Sequence, residues 1–354
     1  MKLLEKTYGL LMALIVALAA LFNSPLNANS VDNDFNDIIV LRPADPAPFP
    51  LDPRLSGIVI AYMNPSLIAD QVAPRTPVGQ QQFKYLRYNL AEGFTLPDNK
   101  VDRKSSPNQV EFSATEVTDQ CELYALEDVV PIDDLNNAPQ GYDPLGRAVE
   151  GIANLNALSR EVRTAGLVFT AANYATGNKI NLADTSTTQF NNPTTSYPID
   201  VIQAGLDKMV MRGNVMVIGQ AAWTKLRSHP QIVAAILGNA GTQGIVSRKQ
   251  VADLFELDDL LVGQGFINTA KKGQTVSLSR VWGKHIALIA RDLLADTTNR
   301  VTFALTAQFG AKAAYQWFDQ KVGLNGAQIV KAGECVKELI TANDLGFFIE
   351  NAIA

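Results

Sequence analysis

Two histidines and two cysteines are all the imidazole and thiol chemistry that 354 residues carry. His229 stands directly before Pro230, where it would cap or pack against a helix start. His285 follows Lys284 in an apolar stretch read as a strand, and is taken as structural. Neither has a partner at the spacing of a metal site or a catalytic triad, and Cys121 and Cys335 are too few for a zinc framework or a disulfide scaffold. The two thiols are expected free rather than joined in the single bridge they allow. Val262-Gly263-Gln264-Gly265-Phe266-Ile267 places Gly-x-Gly after a strand, yet Asn268 stands where a dinucleotide site has its third glycine. HExxH, GxSxG and P-loop patterns do not occur. The sequence thus nominates no catalytic residue, no metal and no cofactor, and an α/β enzyme is the weaker class.

The chemistry that remains is charge pairing. Residues 75–104 hold six basic groups, Arg75, Lys84, Arg87, Lys100, Arg103 and Lys104, against three acids. Residues 111–134 hold eight acids and no lysine or arginine. The bland reading is two solvated strand faces. The sharper one is a projecting hairpin whose basic tip docks on an acidic surface of another copy.

The elements that position these charges follow from pattern. Phe83–Tyr88 and Val110–Thr115 alternate as half-buried strands, and the polar segment between them makes a long hairpin tip. A two-stranded hairpin of that length is not stable alone in water, which favours docking. Asp143-Pro144 then opens a helix, with Asp at the N-cap and Pro at the first turn. Leu145, Val149, Ile152, Leu155, Leu158, Val162, Ala165 and Phe169 form its apolar stripe, while Arg147, Glu150, Arg160, Glu161 and Arg163 take the opposite side. Running to Ala172, it would be about 42 Å long, a spine rather than a core helix of a small domain. From 196 to 295 helices alternate with short buried strands, including Val215–Ile218, Leu260–Val262 and Ile286–Ile289. Strands return at Val301–Phe309, Ala314–Phe318 and near Phe347, and are expected to share one sheet with the β-rich region before the spine.

Composition bounds the partners. Apolar residues reach 47% while charged residues are only 18%, and Asn, Gln, Ser and Thr fill the difference. Such a surface loses water cheaply and suits burial against partners. The net charge of −5 argues against bulk electrostatic binding to nucleic acid. Lys2 and Lys6 precede an apolar run, Gly9–Phe22, that is too short to span a bilayer. The run has the layout of a secretory signal with a poor cleavage site, and equally of an apolar helix that packs on a neighbouring subunit or of a propeptide removed after assembly. Pro43, Pro46, Pro48, Pro50 and Pro53 make 31–57 an extended arm.

The order of arm, long hairpin, spine, α/β insertion and closing strands resembles the major capsid proteins of tailed phages, with the Hong Kong 97-type fold. Tyr62-Met63-Asn64-Pro65-Ser66-Leu67-Ile68-Ala69-Asp70 with Ala73-Pro74 and Val78 resembles that family's approach to the hairpin. Val130-Pro131, Asn137-Ala138, Asp143-Pro144 and Arg160-Glu161 resemble the approach to the spine and the spine itself. Asn214–Gly219, Trp223, Leu226 and His229-Pro230 resemble the axial domain, and Val281-Trp282-Gly283 and Gly346–Ala352 continue the match.

The resemblance implies an α+β fold divided into an apolar segment (1–30), a proline arm (31–57), a β region with an extended hairpin at about 76–130 (58–135), a peripheral domain with the spine at about 144–172 (136–195), an axial domain (196–295) and closing peripheral strands (296–354). It implies a virion shell assembled in the host cytoplasm from hexamers and pentamers. That shell would have portal, scaffold or decoration partners, packaged double-stranded DNA held without sequence-specific contacts, and no membrane anchor. Expected intersubunit contacts are Lys84, Arg87, Lys100, Arg103 and Lys104, with Glu150 and Glu161 as acceptors. The alternatives are an exported surface-layer or pilus-like protein and an encapsulin-type nanocompartment shell.

Overall fold

The computed structural model describes residues 52–354 apart from 63, 89–95, 97, 104, 110–113, 185–187, 239–243, 272 and 298. The apolar segment 1–30 and residues 31–51 of the arm therefore lie outside the described residues.

The first element among the described residues is a helix, α1 (Pro53–Ala61), started by the Asp52 side chain, which accepts from the Arg54 and Leu55 amides, and by Pro53 in the first turn. This corrects the extended reading of 53–57 and the strand reading just after it. A one-turn helix α2 (Ala69–Val72) leads to strands β1 (Arg75–Val78), β2 (Gln82–Tyr88), β3 (Ala114–Gln120) and β4 (Glu122–Pro131). After the short α3 (Ile132–Asn136) comes the spine, α4 (Pro144–Val168), which stops at Val168 rather than at Ala172.

The next elements are β5 (Lys179–Asn181), α5 (Pro198–Lys208), β6 (Val215–Gly219), α6 (Gln220–Leu226), α7 (Pro230–Leu237), α8 (Arg248–Leu254) and β7 (Asp259–Gly263). Helix α8 begins with a capping box in which Ser247 and Gln250 satisfy each other's orphan amides. Strands β8 (Phe266–Asn268), β9 (Leu278–Arg280), β10 (Ile286–Ile289), β11 (Ala304–Asp319), β12 (Ala327–Ile340) and β13 (Gly346–Glu350) complete the chain.

Two sheets carry the cores. One has the order β1-β11-β12-β4 and joins strands from both sides of the spine in sequence. The other, β5-β13-β10-β6-β7, holds the largest core, with Trp282, Phe303, Phe347 and Phe348 buried among the apolar strands. Strand β13 pairs with β10 and β5, so the segment near Phe347 closes the α/β sheet and not the sheet beside the spine, a correction of the sequence reading.

Strand β12 had no clear sequence signal. Lys331, Glu334, Lys337 and Glu338 interrupt its alternation, yet Glu334 and Glu338 are buried because arginines neutralise them. Strand β11 is continuous but bulged. Its register to β12 jumps between Phe309 and Ala313, and Gly310 adopts a φ of +72°.

The spine's inward face is also rotated from the expected stripe. Val149, Ile152, Ala153, Arg160, Glu161, Thr164, Ala165 and Val168 are buried, while Leu155 is 53% exposed. The reading of Arg160 and Glu161 as outward charges is therefore corrected: both side chains point inward, where specific partners receive them.

Candidate assembly interface

Among the described residues, strands β2 and β3 form a sheet with each other alone, antiparallel from Gln82↔Gln120 to Tyr88↔Ala114. An isolated two-stranded ribbon is marginal in water, so its root must be held by the body of the protein. Phe83, Tyr85 and Cys121 supply that hold, buried with Leu305, Ala307, Cys335 and Leu339 of the four-stranded sheet. Both thiols are free and buried, and burial pushes the Cys121 thiol up to about 11.

A second anchor is ionic and lies just before the ribbon. Arg160, 2% exposed, donates to the Asp70 carboxylate, to the Ala73 carbonyl at 3.1 Å and to Thr306 Oγ1 at 2.9 Å. Arg75 bridges Asp70 at 2.7 Å and Glu334 at 2.6 Å. Burial pushes the Asp70 carboxyl up, but Arg160 and Arg75 outweigh it and hold the group below its ordinary value. Arg163 forks onto Glu338 at 2.8 and 3.1 Å and stacks 3.6 Å over the Tyr124 ring.

One residue along, fully buried Glu161 accepts from the Ile68 amide at 2.9 Å, the Ala69 amide at 2.7 Å and Trp282 Nε1. Burial raises its pKa, and those three donors oppose the rise. The spine is thereby tied through Arg160 to the segment before β1 and to β11, the strand on which the ribbon's root packs, and through Glu161 and Trp282 to the α/β layer.

The residues expected to pair between copies fall into three groups. Lys100 and Arg103 are exposed in the hairpin loop, without an ion pair among the described residues. Lys84 is exposed but forms a cross-strand pair with Glu116 at 2.7 Å inside its own ribbon. Glu150 faces outward on α4, 3.5 Å from Arg147. Arg87 lies in β2 opposite Thr115; its side chain, like all of Lys104, is outside the described residues. Glu161 is removed from the exposed set, because every carboxylate partner it has is internal.

No protein-family model matches the chain. The major capsid protein of Pseudomonas phage JBD67 is 49% identical over 308 residues, which span 87% of this chain and 99% of that one. The chain belongs to the phage major capsid proteins. Among solved structures, a phage-related protein of Bordetella bronchiseptica RB50 superposes with a TM-score of 0.67 at 21% identity, covering 86% of this chain and 98% of its own. The capsid of cyanophage P-SCSP1u gives a TM-score of 0.54 at 8% identity, over 82% and 89% of the two chains. These likenesses establish a mixed α+β capsid fold that outlasts sequence similarity.

In this capsid protein the features that could suggest catalysis have structural duties. His229 Nε2 lies 2.9 Å from Ser196 Oγ, which looks like half of a nucleophile pair. However, His229 Nδ1 accepts from the Gln231 amide, so in the neutral ring the proton is on Nε2. Nε2 then donates to Ser196, whose hydroxyl donates to the Asn192 carbonyl, and no base is left for that serine. His285 Nδ1 likewise accepts from the Asn351 amide while its ring packs on Phe169 and Phe348.

Gly263 of the Gly-x-Gly segment is a packing glycine: a Cβ there would stand 2.1 Å from the Trp282 ring. Among the described residues no cluster of His, Cys, Asp and Glu is arranged to hold a metal, and no helix is long and apolar enough to cross a membrane. Sequence reasoning missed the Arg75–Asp70–Arg160 anchor. Its one available signal was the helical spacing of Arg160 from Ile152 and Val168, which puts a charge in the apolar register.

Proposed function

We propose that this capsid protein is a Hong Kong 97-type shell subunit of a tailed phage. In this reading hexamers and pentamers close an icosahedral shell around double-stranded DNA in the host cytoplasm. The β2–β3 ribbon carries the proposal: among the described residues no third strand pairs with it and Lys100 and Arg103 form no ion pair, while a buried core fixes its root and an ion network holds the segment before it. A ribbon so placed gains stability by lying on a neighbouring copy. Residues 196–295 would form the axial domain, and the spine with the four-stranded sheet the peripheral one.

Lys84, Arg87, Lys100, Arg103 and Lys104 supply the basic side, and outward-facing Glu150 is one acceptor. Each exposed pair contributes roughly 0–1 kcal/mol, so many repeated contacts together, and not one strong one, hold the shell. Portal, scaffold and decoration proteins would bind the assembled shell. The acidic balance suits an inner wall that does not grip DNA.

Expression of the full chain followed by sedimentation and negative-stain microscopy tests this. Uniform closed particles are expected, and Lys100→Glu combined with Lys104→Glu should lower their yield with the subunit still folded. A wild-type chain that remains monomeric at high concentration overturns the proposal, and normal yield from the double variant overturns the ribbon's role.

A further inference from the structure

A cleft of about 100 Å³ lies between α1, α4 and the four-stranded sheet, lined among others by Asn64, Asp70, Arg75, Arg160, Lys312 and Glu334. The β11 bulge is what brings Lys312 there. Residues 310–312 form the irregularity, and a bulge re-aims the side chains it carries. Lys312 is half-buried, and among the described residues no carboxylate forms an ion pair with it. Asp70 and Glu334 are already engaged by Arg75 and Arg160, and Glu161 is turned onto amides and Trp282. Arg160 Nε makes no hydrogen bond but lies 3.6 Å from Glu338, which Arg163 also engages, so the guanidinium charges of the cleft are matched. Lys312 is left as the cleft cation without an ion pair among the described residues. A partly desolvated ammonium without a paired carboxylate is costly unless an anion enters.

Carboxylates without a cation lie elsewhere on the same molecule. Strand β4 is an edge strand, and Glu127 and Asp128 on it, with Asp133 and Asp134 just beyond, are exposed and form no ion pair among the described residues. Leu123, Leu126 and Val129 are exposed on the same strand. We propose that the Lys312 cleft is a carboxylate-binding site filled by Asp128 or Asp134 of a second copy of this chain. Because cleft and acidic edge are different surfaces, the contact is heterologous, head to tail. Repeated with rotation, such a contact closes a ring. The inference rests on the shell reading and names one contact within it.

The test uses shells assembled from equal amounts of ¹⁴N- and ¹⁵N-labelled chains, treated with a carbodiimide and digested for mass spectrometry. Lys312 is expected in an amide link to a peptide containing Asp128 or Asp134, with about half of the links joining different isotopes, as random mixing requires. Three results overturn the site. In one, Lys312 links only within single-isotope chains. In another, it stays as open to an acylating reagent in shells as in free subunits. In the third, it is protected in DNA-filled particles but not in empty ones, which would make the ligand a nucleic-acid phosphate. A charge swap provides a second readout: Lys312→Glu should cut shell yield several-fold, and adding Asp128→Lys with Asp134→Lys should restore it. A wild-type chain that forms no shells fails the shell reading, whereas shells without the link fail only this site.

Discussion

Replacing Arg160 by methionine keeps much of the side chain's volume and removes its charge. The guanidinium is 2% exposed and serves Asp70, the Ala73 carbonyl and Thr306, with Glu338 at 3.6 Å. Breaking a buried ion pair by deleting one partner typically costs about 3–5 kcal/mol. Here three of the four acceptors keep another donor: Asp70 keeps Arg75, Ala73 keeps Thr306 Oγ1, and Glu338 keeps Arg163, while the Thr306 hydroxyl still donates to Ala73. Asp70 is also largely exposed, so water screens part of its loss. The expected cost is therefore at the lower end, about 3 kcal/mol.

Urea unfolding of unassembled subunits measures it, with Arg163→Met as the control. Arg163 is more exposed, so its variant should lose only about 1–2 kcal/mol. Shell yield should fall with Arg160→Met, because the segment before β1 and the β11 strand under the ribbon's root lose their tie to the spine. An Arg160→Met subunit within about 0.5 kcal/mol of wild type, the error of such a measurement, would refute the claim that this network supports the ribbon's root.

Other outcomes follow from the same geometry. Gly263→Ala forces a Cβ to 2.1 Å from Trp282 and should cost roughly 1–3 kcal/mol or prevent soluble expression; an unchanged urea midpoint contradicts that packing. The Asp70 carboxyl is held below its usual 3.8, so its contribution is present above that pH and lost as pH falls through the lower native value. Asp70→Asn should therefore flatten the acid limb of the stability curve, by less than about 1 kcal/mol given its exposure, and a steeper limb would reverse the sign of the argument. With its thiol pushed up to about 11, Cys121 should resist iodoacetamide at neutral pH in folded subunits and react on unfolding; rapid labelling of native protein would contradict the packed root.

The sequence made some of this legible and concealed the rest for identifiable reasons. Asp143-Pro144 announced the spine, and the apolar runs at 215, 260 and 286 announced three strands of the α/β sheet, because capping and full burial are local signals. Asp52-Pro53 carries the same start signal, yet surrounding prolines hid it. Strand β12 and the inward turn of Arg160 and Glu161 could not be read locally. Burying a charge makes sense only once its partner is known, and Arg75 and Glu334 are 259 residues apart in sequence. The β11 bulge depends on pairing with β12, so Lys312 looked like an ordinary strand lysine. The basic hairpin charges were visible from composition, but that Lys84 already pairs with Glu116 required the ribbon's register.

A cryo-electron microscopy reconstruction of shells assembled from the full chain would trace which copy each ribbon touches. β2 and β3 are expected to extend from the core around Phe83 and Cys121 and lie across the adjacent copy. A closed shell in which each ribbon folds back on its own chain, making no contact with a neighbour, would contradict it.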